Sequence, residues 1–238
     1  LFARSDEDML RRHPLAALYR GDLRYADRYG DYLSEDFFDS ERAAQQAELN
    51  ELLAIDRGAL GATDRIAYDV FRRDKEIALR GLAPDMLALT AVRPIDHFSG
   101  FHTSFADLSS GRGAAPFQTI EDYENNLRRI AGFVAQLDLA IARFRQGMAR
   151  GIVQPKLVVN NIIGQLDTML EEGVEGSTFY LPVRSFPDAV PESERARLRA
   201  AYAEAIGGRI RPAFARLRDF LRDEYLPAAR DGVGLSQM

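Results

Sequence analysis

The sequence predicts an all-α protein: a multi-helix, antiparallel, bundle-like array with two long irregular loops and no significant sheet. Three observations lead there. Apolar residues recur every third or fourth position over long stretches, which is the period of a helix with one buried face. Glycines and prolines fall between these stretches, where helices end and begin. The one segment that could be extended, Ser177 to Val183, has no partner strand in sight.

The strongest element is central, from Thr119 to Leu170. Thr119 can cap a helix whose first turn carries Glu121 and Asp122, acids that the helix dipole favours there. Tyr123, Leu127, Ile130, Val134, Leu137, Ile141 and Phe144 then form its stripe, and Gly147 and Gly151 end it. Pro155 opens a second helix with Leu157, Val158, Ile162, Leu166, Met169 and Leu170 on one face. Together they read as an antiparallel hairpin in the core.

Upstream, a short helix is expected over Ser5 to Arg12, stopped at His13-Pro14 because the residue before proline avoids helical geometry. Another follows from Leu15 to Arg20, then an irregular, wrapped segment with Gly21, Gly30 and scattered Asp. Ser40 is expected to cap a helix from Glu41 to Asp56. The next runs from Thr63 to Leu82, and its wide stripe (Ile66, Ala67, Val70, Phe71, Ile77, Ala78) predicts burial on both sides.

Residues 83–118 lose the period, and 172–191 form the second irregular stretch. Pro191 opens a helix to Ile206, Gly207-Gly208 is expected to break or bend it, and a last helix from Ile210 ends before Pro227. No internal repeat or interdomain linker is visible, so 1–238 reads as one helical domain or lobe.

Composition excludes several function classes. The 238 residues carry a net charge of -5, with no basic footprint for nucleic acid. No cysteine is present, so disulfides and thiolate metal sites are ruled out. No uncharged run exceeds ten residues, so no transmembrane segment is expected. The chain begins at Leu1 and ends on Gly232-Val-Gly-Leu-Ser-Gln-Met238, as a piece of a longer protein would.

No phosphate loop, nucleophile elbow or catalytic triad stands out, and no catalytic residue is assigned. Residues 83–118 concentrate aromatics and two of the three histidines. Long loops of this kind usually do something. Asp96, His97, Phe101 and His102 are therefore the candidate cleft-lining residues, mixing apolar area with a few polar groups as ligand sites do. His97 and His102 are five apart with Gly100 between them, a spacing that fits no helical zinc pair, so no metal ligand is assigned. Two readings of the histidines stay open: loop residues bonded to backbone, or polar contacts of a ligand cleft.

Several segments in order resemble a known family: Arg93-Pro-Ile-Asp-His-Phe-Ser-Gly100, Asp122-Tyr-Glu-Asn-Asn-Leu-Arg-Arg129, Phe144-Arg-Gln-Gly-Met-Ala-Arg-Gly151, Val153-Gln-Pro-Lys156, Thr178-Phe-Tyr-Leu-Pro182, and Glu224-Tyr-Leu-Pro-Ala-Ala-Arg230 with Gly234-Leu235. The chain from about Asp31 to Leu235 resembles the N-terminal part of the bacterial family called domain of unknown function 885. Its members look like large all-helical zinc peptidases with a His-Glu-x-x-Pro-Gly-His-His metal segment, in which zinc polarises the scissile carbonyl. That segment does not occur here, so the resemblance implies no cofactor in this chain, zinc in the complete protein, a C-terminal catalytic part as partner, and a peptide substrate. It also implies the bacterial periplasm or cell envelope, with the cytoplasm as alternative. The alternative function is a non-enzymatic helical binding or scaffold module of the envelope.

Overall fold

The computed structural model describes residues 1–234; the expected continuation of the tail at 235–238 lies outside the described residues. In chain order the helices are α1 (Phe2–Arg12), α2 (Pro14–Tyr19), α3 (Glu35–Leu53), α4 (Ala62–Gly81), α5 (Pro84–Thr90), α6 (Phe101–Leu108), α7 (Ile120–Ala149), α8 (Lys156–Glu171), α9 (Gly173–Gly176), α10 (Leu181–Arg184), α11 (Glu192–Ala205), α12 (Arg211–Phe220) and α13 (Leu226–Ala228). The protein is all-α. Among the described residues the only β-type pairing is an isolated bridge between Pro155 and Arg230.

α7 is the axis. A capping box starts it: Asp122 N donates to Thr119 Oγ1, and Thr119 N donates to Asp122 Oδ2 at 2.8 Å. Its apolar face (Ile130, Phe133, Leu137, Ala140, Phe144) is fully buried. α12 packs along both α7 and α8, and α11 packs along α7. The two arms of the expected hairpin therefore meet largely through α12.

The same helix buries polar side chains seven residues apart. Arg129 donates to the Ala26 carbonyl. Gln136 accepts from Tyr32 N at 3.1 Å and donates to Asp31 at 3.2 Å. Arg143 donates to the Leu33 carbonyl at 2.7 Å and pairs with Glu35 at 2.6 Å. These bonds hold the irregular segment before α3 along α7. That segment has no strand or helix ladder, so side chains must satisfy its backbone.

A second polar knot lies at the N-terminal end of α7. Asn126 Oδ1 accepts from Ser109 Oγ at 3.0 Å and from Arg129 Nη2 at 3.1 Å. Asn126 Nδ2 donates to Tyr202 Oη at 3.2 Å, and Tyr202 Oη donates to the Tyr123 carbonyl at 3.1 Å. All four side chains are buried, so α6, α7 and α11 are fixed at one point.

Several elements depart from the sequence reading. α3 starts six residues earlier than expected: Ser34 caps it, accepting from Phe37 N at 3.0 Å, and Ser40 lies inside the helix. Its buried side is Phe38, Glu41, Leu49 and Leu52. Glu41 is buried because Arg12 (2.5 Å) and His13 (3.2 Å) pair with it, which holds its carboxyl down at about 2. α4 does not bury a wide stripe. Tyr68 is its buried residue, Phe71 packs on Phe2 at 4.8 Å, and Ile66, Val70 and Ile77 face solvent. Residues 83–118 hold α5 and α6, and 172–191 hold single helical turns.

Gly207-Gly208 does not break the last helix, and Pro227 does not end it. π-helical turns at Ile206–Ile210 and Leu221–Tyr225 carry the chain from α11 through α12 to α13. Each π turn precedes a proline, Pro212 or Pro227. A wider turn accommodates a residue that lacks an N–H and crowds the carbonyl four back.

Asn126→Ala leaves the Ser109 hydroxyl, the Tyr202 hydroxyl and one Arg129 nitrogen short of a partner in the core. The expected loss is about 3 kcal/mol of unfolding free energy, read by chemical denaturation. A change below about 1 kcal/mol would mean that the knot tolerates rearrangement.

Candidate functional site

The sequence candidates gather on a turn fixed to α8. Asp96 organises it: Oδ1 accepts from Phe98 N at 2.7 Å and Ser99 N at 2.8 Å, and Oδ2 accepts from Ser99 Oγ at 2.9 Å. These bonds keep the Asp96 carboxyl below its usual range despite partial burial. Phe101 is the first residue of α6 and sits 6.0 Å edge-on from Phe133. The His97 ring stacks on Phe98 at 4.1 Å. Phe98, which lies in the same stretch but is not one of the four candidates, is 89% exposed.

Gln165 on α8 joins the pieces. Its Nε2 donates to the His97 carbonyl at 2.9 Å, which leaves Oε1 to accept from His102 Nε2 at 2.9 Å. His102 is therefore the Nε2–H tautomer, and its Nδ1 carries a buried lone pair without a partner among the described residues. The ring is fully buried, and burial lowers its pKa below 6.5, so it is neutral. Only glycine fits at Gly100: a Cβ there would lie 2.5 Å from the Asp96 carbonyl oxygen and closer still to the His102 ring.

This geometry does not fit a zinc site. The Asp96 oxygens are engaged in the turn, and the free His102 Nδ1 has no further ligands gathered around it. Among the described residues no three His, Asp or Glu side chains gather as metal ligands.

A cavity of about 760 Å³ lies where the two irregular stretches meet, and the sequence reading did not bring them together. One wall is the chain from Ser110 to Gln118, the other from Leu181 to Pro187. Tyr123, in the first turn of α7, joins them. It donates to the Pro182 carbonyl at 3.2 Å and contacts the rings of Phe117 and Phe186, each at 5.2 Å. Gly111 makes the corner with φ of 76°, a left-handed conformation that glycine adopts freely. Among the described residues the charged side chains lining the cavity are Arg112 and Arg184, with no carboxylate among them. The aromatics of both loops were visible in the sequence, but nothing there indicated that one tyrosine anchors both.

The family model for a bacterial protein of unknown function, DUF885, matches residues 14–235. The chain belongs to the DUF885 family. No curated protein matches it. The match includes the α7 segment with Asn126 and Arg129, the Gln165 clasp and both walls of the Tyr123 cavity. No helix among the described residues is long and apolar enough to cross a membrane.

Two outcomes test this geometry. Gly100→Ala is expected to cost about 2 kcal/mol or more, because the new Cβ meets both a backbone oxygen and a locked ring; thermal and denaturant unfolding read it. The His102 pKa is depressed in the folded chain, so the unfolded chain binds the proton more tightly. The His102 contribution to stability is then complete above about 6.5 and is lost as pH falls through the lower folded value. NMR titration of the His102 ring is expected to give a midpoint below that of a free histidine. A midpoint at or above 6.5 contradicts the buried neutral ring.

Proposed function

We propose that this chain is the N-terminal helical lobe of a zinc-dependent, peptidase-like hydrolase and walls one side of its substrate cleft. The metal site and the C-terminal catalytic part then lie outside these residues. The ordered segments that resemble such proteins support the reading. The observation that carries it is Phe98. A large aromatic ring stands almost wholly in solvent on a turn braced by three bonds to Asp96 and clasped to α8 by Gln165. Rigid display of an apolar ring suits contact with a ligand or a facing lobe. In this role His97 and Phe98 touch peptide, Phe101 and His102 hold the turn, and Asp96 shapes it.

A second reading, a non-enzymatic helical module that binds a partner, is favoured by the outward face of α4, where Ile66, Val70 and Ile77 are exposed.

The complete protein separates the two. Stoichiometric zinc and peptide turnover are expected under the first reading, and their absence favours the second. Within the active protein, Phe98→Ala is expected to leave the melting temperature unchanged and to lower peptide turnover about tenfold, about 1.4 kcal/mol of transition-state binding. Full activity in that variant removes the turn from the cleft.

A further inference from the structure

The Tyr123 cavity has a chemistry of its own. The chain carries net charge -5, and its arginines are mostly tied to acids or carbonyls. At this cavity the balance reverses. Arg112 is exposed on the loop corner, and its guanidinium has no partner among the described residues. Arg184 faces it from the other wall and spends one nitrogen on the Glu175 carbonyl at 2.5 Å. Behind that wall Arg199 stacks over the Phe186 ring at 5.1 Å and bonds the Val183 carbonyl, with no acid paired to it among the described residues. Arg195, also near Phe186, is neutralised by Glu192 at 2.8 Å. The charge carried by the residues that line the cavity is therefore positive, with the Asp122 carboxylate held beside it by the Gln118 and Thr119 amides.

The backbone adds donors. The amides of Gly113, Ala114, Ala115 and Phe117 make no hydrogen bond among the described residues. A short run of free N–H groups beside a cavity can donate to the carbonyls of an extended chain, and an arginine fork donates to a carboxylate. The remaining lining is apolar, from Pro116, Phe117, Leu181, Pro182, Phe186 and Pro187. About 760 Å³ exceeds what a lone inorganic anion fills and suits a few residues of peptide.

We propose that this cavity binds the C-terminal end of a peptide, with Arg112 and Arg184 taking the terminal carboxylate and the apolar walls taking the last side chains. The site is built wholly from this chain and is separate from the Asp96–His102 turn. It stands whether or not the complete protein hydrolyses peptides.

The test is fluorescence anisotropy on the present chain. The probe is a fluorescein-labelled hexapeptide ending in leucine, as the free acid and as the C-terminal amide. The free acid is expected to bind about tenfold more tightly than the amide, as a charge-assisted pair with arginine would give. Arg112→Gln, at an exposed position, is expected to leave the melting curve unchanged and to remove most of that preference. Arg112→Lys is expected to restore part of it. Equal binding of acid and amide, no saturable binding of either, or an undiminished preference in Arg112→Gln overturns the proposal. Unlabelled free-acid peptide should displace the probe well before inorganic phosphate does. Displacement by phosphate at equal concentration makes this a general anion site and also overturns it. Because the readout is binding, a missing peptidase activity in the complete protein leaves this result untouched.

Discussion

The structure depends on a stripe of buried polar side chains along α7. Arg129, Gln136 and Arg143 lie seven residues apart, close to two helical turns, and so share a face. Each reaches the backbone of the segment that leads from the 3-10 turn at Leu23–Tyr25 into α3. Such a segment has no internal ladder, and each buried backbone group left unpaired would cost about 1–3 kcal/mol. The stripe turns an irregular stretch into a fixed layer. Arg129 shows what this costs: burial lowers its pKa to about 10, which still leaves it charged at neutral pH among carbonyl and hydroxyl dipoles. Its hydrogen-bond acceptors are Ala26 O and Asn126 Oδ1, with no carboxylate paired to it among the described residues.

The N-terminal hairpin follows a different logic. α3 and α4 pack chiefly on each other, and their buried Leu49, Leu52 and Tyr68 lie apart from the principal core around α7, α8, α11 and α12. Hydrogen bonds and ion pairs with little solvent contact tie α1 to this hairpin and its two helices to each other. Ser5 donates to Glu48 at 2.7 Å, Lys75 pairs with the same carboxylate, and Arg12 and His13 hold Glu41. A carboxylate that buries only as part of such a pair breaks the apolar period. That is why Glu41 reads as a surface residue in the sequence although it lies inward.

The two candidate sites are built alike. In each, one side chain from a long helix clasps an irregular stretch that has little regular structure: Gln165 for the Asp96 turn, Tyr123 for the stretch at Pro182. The helices supply rigidity, and the loops supply the free polar groups and exposed rings. His102 belongs to the support rather than the surface, since its ring is fully enclosed between α6 and α8.

By itself the sequence determined the class and the principal helices. The periods on α7 and α8, the Thr119 cap and the proline after His13 act within a few residues, so local pattern was enough to read them. It also marked the two irregular stretches and the order of segments that the family shares. Only the tertiary structure decided the rest, because those features depend on what arrives from elsewhere in the chain. The outward face of α4 has the same apolar spacing as a buried one, and nothing local tells them apart. The last helix runs past Gly207-Gly208 and Pro227 because packing of α12 on α7 and α8 holds the widened turns in place. Burial of Glu41 needed Arg12 and His13, and burial of Arg129 needed Ala26, about a hundred residues away. The Tyr123 cavity arises where stretches some seventy residues apart meet. Charge and hydrogen-bond pairing across such distances is a property of the folded chain, and no periodicity in the sequence encodes it.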